Sequence, residues 1–547
     1  MSINLRDTLL ASLTSLPGTR EFHIHVLVSS PRKHTALFPF ARPRPRTYLQ
    51  DILVLLSEQP TPDAPRILVT AIEACLYNIP STSSAIFYVS KVDTTGQGAY
   101  PSPTSILVRT LLTLYANPAT RPISATHFWI QLFARAQGQY LFANSSEHPG
   151  KRPLTDVKLC AWWKRVLTEV AMNLQSLGDV FSTIKPYYIL PGYNEDEAFM
   201  SLRVASTPDS ATSNGIIWQY GHPYSQTEIP LPCPEDTSSD QKNLGHFIPS
   251  FDDDPKSRFI DELAYTTEGD LIKSPIKKRS RTLHTEGSES KKGKDKDKSA
   301  NEVDGKEEPP LGELRKVTPE EFWERMSFRQ ECVAGAVTGF FSLGMSSKAV
   351  KDEGGEEPRA STSAPSPLAP QPGQVSSQIN KRIMTSLLTA VEFSTTERAI
   401  KATESLEGAI KGLCEGITPL AAGQGNSTGH ILRAPTPVQG SSDRRTPERE
   451  VSGESTYLAP PKTPPPRVKH GKGVVVDVSP NPFPEPVTSM ETYESFIYGS
   501  VGVSNPGPTS RRAEEGLSRG GQENAEVGTG QPHVTVLAVR KKKKRSA

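Results

Sequence analysis

Apolar residues are unevenly spread along this chain, and that distribution limits what it can fold into. Lys273 to Pro310 is almost free of them and is dominated by Ser, Lys, Asp and Glu. Thr418 to about Gln531 is of low complexity, with Pro, Gly, Ser and Thr throughout, and Gly354 to Ser377 reads as a Pro/Ser/Ala-rich linker. Such segments cannot bury enough apolar surface to offset the entropy lost on ordering. A length of 547 residues would suit roughly two to four ordinary domains. Here the hydrophobic share is 35%, below the usual range of about 45–50%, and the 49 prolines and 39 glycines cluster in a few stretches. The composition predicts one sizeable core with long disordered segments. Its first part spans 1–270, a disordered insertion 271–311, a buried helix 312–346 and the linker 347–377. A helical part follows at 378–417, then a disordered tail at 418–530 and a basic end at 531–547.

Net charge is only +2, but the basic residues gather in runs, Lys277, Lys278, Arg279 and Arg281 in one and Lys541 to Arg545 in another. Near-neutral charge and the lack of a recognisable binding module argue against direct, specific nucleic-acid binding. Cys75, Cys160, Cys233, Cys332 and Cys414 are odd in number, and no two have metal-ligand spacing. That pattern fits a reducing compartment, with the thiols buried as small hydrophobes and no metal site. The N-terminus lacks a signal-peptide layout, and no apolar run approaches the roughly 20 residues of a membrane span. The expectation is a soluble intracellular protein without a membrane partner.

The first half carries most of the periodic signal. Leu5 to Leu16 reads as a short amphipathic helix, and Phe22 to Val28 as a strand alternating apolar residues with His23 and His25. Ile67 to Tyr77 and Ala85 to Lys91 are β-branched and aromatic and read as buried strands; Phe128 to Phe133 is another apolar run. Helices are expected at Thr104 to Tyr115 and near Phe259 and Leu263. A longer one is expected over Thr155 to Leu177, where Leu159, Trp163, Val166, Val170 and Leu174 share a face and Gly178 stands in the C-cap position. Thr318-Pro319-Glu320-Glu321 has the layout of a helix start, with Thr as N-cap, Pro at the first position and Glu closing a capping box. Phe322, Met326, Val333, Val337 and Phe340 are read as its buried continuation, and Ile379 to Leu413 is helical in pattern.

No P-loop, dinucleotide fingerprint, Ser-His-Asp elbow, zinc spacing or kinase set is present. What remains are segments that each have a bland alternative. Phe87 to Gly96 is a strand running into a polar turn; it is either an ordinary strand end or an edge whose amides meet an extended ligand. Tyr100 to Ser105 leads into a helix, which makes it an anion site or a region simply capped by Ser102 or Thr104. Gln139-Tyr140-Leu141-Phe142, Asn144-Ser145-Ser146 and Lys151-Arg152-Pro153-Leu154 place an aromatic patch beside a basic loop. Adjacent Trp162 and Trp163 point about 100° apart on a helix, so one faces the core and the other a cleft, unless both fill a packed corner. In Phe251-Asp252-Asp253-Asp254-Pro255-Lys256-Ser257-Arg258-Phe259, crowded carboxylates could supply a general base. Asp254 before Pro255 is equally a good N-cap, which would keep it ionised and a poor base.

In this order the segments resemble the fungal regulator-of-Ty-transposition histone H3 lysine acetyltransferase family, a structural relative of the CREB-binding-protein acetyltransferases. The matching stretches are Val89-Ser90-Lys91-Val92-Asp93-Thr94, Gln139 to Phe142 with Ser145-Ser146, Trp162-Trp163, Asp253-Asp254-Pro255-Lys256 with Arg258-Phe259-Ile260, and Phe322-Trp323 with Arg329-Gln330-Glu331. The likeness runs with gaps from about Phe22 to Gly416, and Val534 to Arg545 resembles the family's basic end. The resemblance implies an α/β (α+β) fold with a central mixed sheet surrounded by helices. It also implies acetyl transfer from acetyl-CoA, without metal, to lysines of histone H3 in H3–H4. That activity would be nuclear, would serve nucleosome assembly and the DNA-damage response, and would be assisted by histone chaperones of the anti-silencing and nucleosome-assembly types.

By that resemblance Val92, Asp93 and Thr94 line the acetyl-pantetheine channel, and Pro101, Ser102, Pro103, Thr104 and Ser105 hold the pyrophosphate end. Phe133, Gln137, Tyr140, Arg152, Pro153, Leu154 and Trp162 complete the coenzyme pocket; Gln137 stands where the family can carry a small residue. Trp163, Asp253 and Asp254 would sit by the acceptor lysine, and Lys256 matches a lysine the family acetylates on itself. Cys160 is rejected as a nucleophile, having no His partner nearby in sequence. The basic end would be a nuclear localisation signal or a chaperone contact by an added strand, against the alternative of a plain basic tail. The rival to an active enzyme is a catalytically inactive chromatin adaptor that binds histones and chaperones.

Overall fold

A computed structural model of the chain describes residues 4–205, 215–234, 243–266, 311–329, 336–348, 366–415, 483–486 and 488–506. The elements run in the order α1 (Leu5–Leu13), β1 (Gly18–Ser29), β2 (Arg32–His34), β3 (Thr47–Gln59), β4 (Ile67–Ile79), β5 (Ser84–Thr94), α2 (Thr104–Ala116), β6 (His127–Arg135), α3 (Asp156–Gln175) and β7 (Phe181–Ile189). Next come α4 (Glu195–Ala205), β8 (Gln219–Tyr220), α5 (Pro255–Tyr265), α6 (Pro319–Met326), β9 (Thr338–Ser347), β10 (Gln374–Val375), α7 (Ser377–Thr389) and α8 (Thr396–Glu415). A turn of helix, Met490–Thr492, and a π-turn, Tyr493–Ile497, lead into β11 (Tyr498–Asn505).

The strands form one mixed sheet in the order β10-β1-β3-β4-β5-β6-β9-β7-β8, with β11 also pairing β1 and β2 pairing β3. The fold class is as expected, a central mixed sheet between helices. Period-two alternation explains how both faces are buried. Phe22, Ile24 and Val26 of β1, with Ile52, Val54 and Leu56 of β3, enter the main core against Leu9, Leu107 and Val166 of α1, α2 and α3. Leu27, Leu53 and Leu55 point the other way, onto Ile379, Ile383, Leu406 and Ile410 of α7 and α8. β5, α2 and β6 form a long parallel crossover, in which a helix carries the chain back across the sheet; β7, α4 and β8 form another.

The sheet departs from the sequence expectations in several places. The helix begun by Thr318, whose side chain caps Glu321 N as expected, ends at Met326 with Ser327 as C-cap. Val337 and Phe340 do not continue it. Val337 precedes β9 and Phe340 lies within it, a strand held between β6 and β7. Their spacing mimicked a helical face, but Phe341, Leu343 and Met345 follow a period of two. At Gly344 a Cβ would stand 2.6 Å from the Trp129 ring, so only glycine fits there. Val333 lies outside the described residues. Within the linker, Gln374 and Val375 form β10, and Ile379 to Leu413 divides into two helices. β11, placed in the tail by composition, pairs with β1 over eight residues, from Gly18↔Asn505 to His25↔Tyr498. The insertion 271–310, the remaining tail and the basic end 531–547 lie outside the described residues.

The two histidines of β1 bear on that last strand. His25 Nε2 lies 3.0 Å from the Tyr493 hydroxyl, and His23 Nδ1 lies 3.0 Å from that of Tyr498. Burial, aided by Arg66 and His23, pushes His25 down to about 3; burial and Arg66 also lower His23, against the opposing pull of Glu21 and Glu407. Both folded pKa values lie below the unfolded value of about 6.5. Their contribution to stability is therefore complete above about pH 6.5 and is lost as the pH falls toward 3, because the unfolded chain binds the protons. A melting series from pH 7.5 to 4.5 should show a steady fall in Tm that His25→Gln flattens. An unchanged slope in the variant would remove His25 as its source.

Candidate functional site

The site arises where the sheet comes apart at its centre. β5 pairs with β6 only from Ser84↔His127 to Val89↔Leu132, although β5 continues to Thr94 and β6 to Arg135. On its other side β5 faces β4 with a slip in register: Glu73 opposes Lys91 and Ala74 opposes Val89, so Ser90 is an extra residue. A bulge bends the strand that carries it, and this one sits where β5 leaves β6. The gap is a cavity of about 350 Å³.

Val92, Asp93, Thr94, Ser102, Thr104, Phe133, Gln137, Tyr140, Arg152, Pro153, Leu154, Trp162 and Trp163 all line this cavity. Lys91, Arg135 and Lys151 also line it, as do Val89, Ser90, Leu132, Ala134, Ala136 and Leu159. Sequence reasoning assigned this second group no site role, although Val89, Ser90, Lys91 and Lys151 lie inside the candidate segments it quoted. Pro101, Pro103, Ser105, Asp253, Asp254 and Lys256 do not line the cavity.

Asp93 organises one wall. Its buried carboxylate accepts the backbone N–H groups of Tyr140, Leu141 and Phe142 at 2.8, 2.8 and 3.1 Å and pairs with Lys151 Nζ at 2.9 Å. Lys151 also donates to Ser145 Oγ at 2.6 Å. Burial pushes the Lys151 ammonium down, against the pull of Asp93. The Asp93 side chain is thus committed to the 140–151 loop. Gly96 lets that loop close: with φ at +76°, a Cβ there would stand 2.3 Å from Lys151 Cα.

Trp163 packs in the main core, Trp162 packs against it, and their rings meet edge to face at 4.7 Å. Both reach the cavity, so the two directions expected for the pair converge on one cleft wall. Cys160 is fully buried, and burial pushes its thiol up to about 12, which suits a packing residue. Pro103 stands at the N-cap of α2 and offers no side-chain acceptor, but the Ser102 hydroxyl accepts Thr104 N at 3.4 Å, so Ser102 caps the first turn in part. The Thr104 hydroxyl lies 2.8 Å from that of Thr70 and 2.9 Å from that of Ser102.

The aspartate turn approaches from α5. Phe251 stacks on Tyr88 at 4.0 Å, and the Ser257 hydroxyl donates to Phe251 O at 2.7 Å. Asp254 is the N-cap of α5: its Oδ1 accepts Lys256 N at 2.9 Å, and its Oδ2 stands 3.0 Å from Lys256 Nζ. Both side chains are buried, with the Lys256 ammonium 5.0 Å from the centre of the Phe340 ring. Asp253 differs. It takes the left-handed conformation at φ +58°, its side chain is 71% exposed, and Lys91 Nζ donates to its Oδ2 at 2.7 Å. Burial works to lower the Lys91 pKa, but Glu73 and Asp253 outweigh it and the net shift is upward. Asp253 therefore meets the cavity through Lys91. Asp254 meets it less directly, through Lys256 and Phe340, which packs 4.7 Å from the cavity-lining Phe133.

The central sheet is thus split beside a bulge, with aromatic and basic side chains around the gap. Comparison with known proteins gives the family. A profile of the KAT11-type histone acetyltransferase domain matches residues 115–408, and the chain belongs to that family. It is 28% identical over 356 residues to a histone acetyltransferase rtt109 of Aspergillus flavus, a match covering 60% of this chain and 54% of that one. It is 24% identical over 334 residues to the histone acetyltransferase rtt109 of Schizosaccharomyces pombe, covering 59% of this chain and 68% of that one. The chain thus spans about half the length of the Aspergillus flavus relative. The crystal structure of Rtt109 from Aspergillus fumigatus shares the fold, with a TM-score of 0.53 at 22% identity over 75% of this chain and 96% of that one. The family suggested by the ordered segments is therefore borne out. Among the described residues, no group of three or more His, Cys, Asp or Glu is placed to hold a metal, and no helix is long and apolar enough to cross a membrane.

Proposed function

We propose that this chain transfers an acetyl group from acetyl-CoA to lysine side chains of histone H3 in H3–H4, presented by histone chaperones in the nucleus. The observation that carries the reading is the parting of β5 from β6 at the Ser90 bulge. It leaves strand edges free beside Val92 and Asp93, where an amide-bearing pantetheine arm fits, with Lys151, Arg152 and the start of α2 nearby for phosphates. In this reading the residues assigned by resemblance keep their roles. Asp93 acts by holding the 140–142 backbone, and Pro101, Pro103 and Ser105 act by shaping the loop before α2.

The acceptor amine, with a pKa near about 10.4, must lose a proton before it attacks the thioester carbonyl. As the new C–N bond forms and the C–S bond breaks, the coenzyme leaves as thiolate and takes up the second amine proton, while the backbone N–H on the free edge of β5 at Val92–Asp93 steadies the charge gathering on the carbonyl oxygen. Asp253 is the better base of the two carboxylates. It is open to solvent and can take the proton through water, whereas Asp254 is occupied by Lys256 N and Nζ and fixes the turn. Trp163 walls the acceptor side. Lys256, shielded from solvent, would receive its own acetyl group from the same cleft, and that would neutralise the partner of Asp254.

The test is acetylation of H3–H4 with chaperone and acetyl-CoA, read by mass spectrometry. Asp253→Asn should lower kcat by about 10²-fold or more with little change in Tm; full activity would remove Asp253 as the base. Acetyl-CoA at 100 times its Kd should stabilise the chain by about 2.7 kcal/mol. No thermal shift at high concentration would instead favour a non-catalytic adaptor.

A further inference from the structure

Outside the cavity, one buried ion pair has no part in the chemistry above. Arg20 of β1 and Glu58 of β3 are each nearly sealed from solvent, at 3% side-chain exposure, and stand 3.2 Å apart. Burial raises the Glu58 pKa against the lowering pull of Arg20. A pair this deep gains little net stability, since desolvation offsets most of its attraction. Its other bonds all go to a single loop. Arg20 donates to Ala99 O and to Pro101 O, both at 2.9 Å, and Ala99 N donates to Glu58 at 3.2 Å. This is the loop between β5 and α2. Its next residues, Ser102 and Thr104, line the cavity, and Thr104 is tied in turn to Thr70 of β4.

We propose that Arg20 and Glu58 are positioning residues that clamp this loop so that the start of α2 meets the diphosphate of the acetyl donor. Three anchor points in six residues, at 99, 101 and 104, fix where the first turn of the helix stands. The early N–H groups of a helix have no intrahelical partner, and here the neighbouring Ser102 hydroxyl meets that of Thr104 alone, at 3.4 Å, while the N-cap Pro103 offers no side-chain acceptor. Fixed in direction, they form an anion site; released, they swing away from it. Arg20 touches neither the donor nor the acceptor lysine, and its effect passes through the backbone. The inference rests on the acetyl-CoA reading above and adds to it the means by which the nucleotide end is told from the pantetheine end.

The experiment compares two donors, acetyl-CoA and acetyl-pantetheine, the second of which lacks the diphosphate. Arg20→Lys keeps the charge but cannot span two carbonyls. Arg20→Lys thus tests the span and Glu58→Gln the charge: the second keeps the shape but breaks the ion pair and turns the acceptor for Ala99 N from a carboxylate into a weaker neutral amide. Each should raise KM for acetyl-CoA about tenfold, leave kcat within about twofold and leave KM for acetyl-pantetheine unchanged. An equal rise for both donors, or no rise for either, overturns the clamp. Backbone hydrogen exchange without any donor gives a second readout. The Ala99 amide should exchange faster in both variants while amides of the central strands do not, and unchanged protection at Ala99 also overturns the clamp. If the unmodified protein turns over neither donor, the acetyl-transfer reading fails by itself, and exchange at Ala99 still decides whether the pair holds the loop.

Discussion

Asp93→Ala should lower the stability of the chain by about 3–5 kcal/mol, the usual cost of stranding one partner of a buried ion pair, and abolish the thermal shift given by acetyl-CoA. The substitution leaves the Lys151 ammonium without its carboxylate and orphans the N–H groups of Tyr140, Leu141 and Phe142. The 140–151 loop then loses the anchor to β5 that Tyr140, Leu141, Phe142 and Lys151 share, and with it go Tyr140, Arg152, Pro153 and Leu154 as a cavity wall. Adding Lys151→Met should restore part of the stability, because the stranded charge is gone, but not the ligand response, because the loop is still unpinned. Denaturant melts of the single and double variants, with and without acetyl-CoA, separate the two effects. A single variant as stable as the parent would show that Asp93 does not hold the wall.

The second large effect is expected at a place where composition predicts none. A chain ending at residue 482 lacks β11 and the turn before it. It should lose roughly 5 kcal/mol or more, since burying Tyr493, Ile497 and Val503 is worth about 1.5–3 kcal/mol each, and the edge of β1 loses a partner of eight residues. Exposed edges of this kind pair with other chains, so the shortened protein should also aggregate on concentration. Equal Tm values for the full and shortened chains would return residues 483–506 to the tail.

How much of this was legible in the sequence follows from physical range. Strands with a dense local signal, such as Ile67–Ile79, and helices with both a start and a stop, such as Asp156–Gln175, could be read from their own residues. β9 could not, because Val337 and Phe340 fall three apart and fit a helix as well as a strand; Trp129 across the sheet at Gly344 decides the matter. β11 could not, because Gly499 and Gly502 dilute it and its partner lies almost five hundred residues away in sequence. Twelve of the expected donor-site residues, with Trp163 from the acceptor side, do converge on one cavity, because they sit on the ends of neighbouring strands, on the loops that leave them and on the helices that follow. The Ser90 bulge is a matter of register between two strands, which no single segment records. The unlike surroundings of Asp253 and Asp254 also needed three dimensions, since one faces Lys91 and the other is buried with Lys256.

The pairing of β1 with β11 has a consequence in time as well as in space. β1 leaves the ribosome early, and its outer edge can be closed only after residue 505 has been made. At about 5–20 residues per second, that edge waits on the order of half a minute to a minute and a half for its partner. Throughout that interval Phe22 to His25 present an open row of amides on a nascent chain. β11 is therefore what closes this edge, and the rate of translation sets how long the edge stays open.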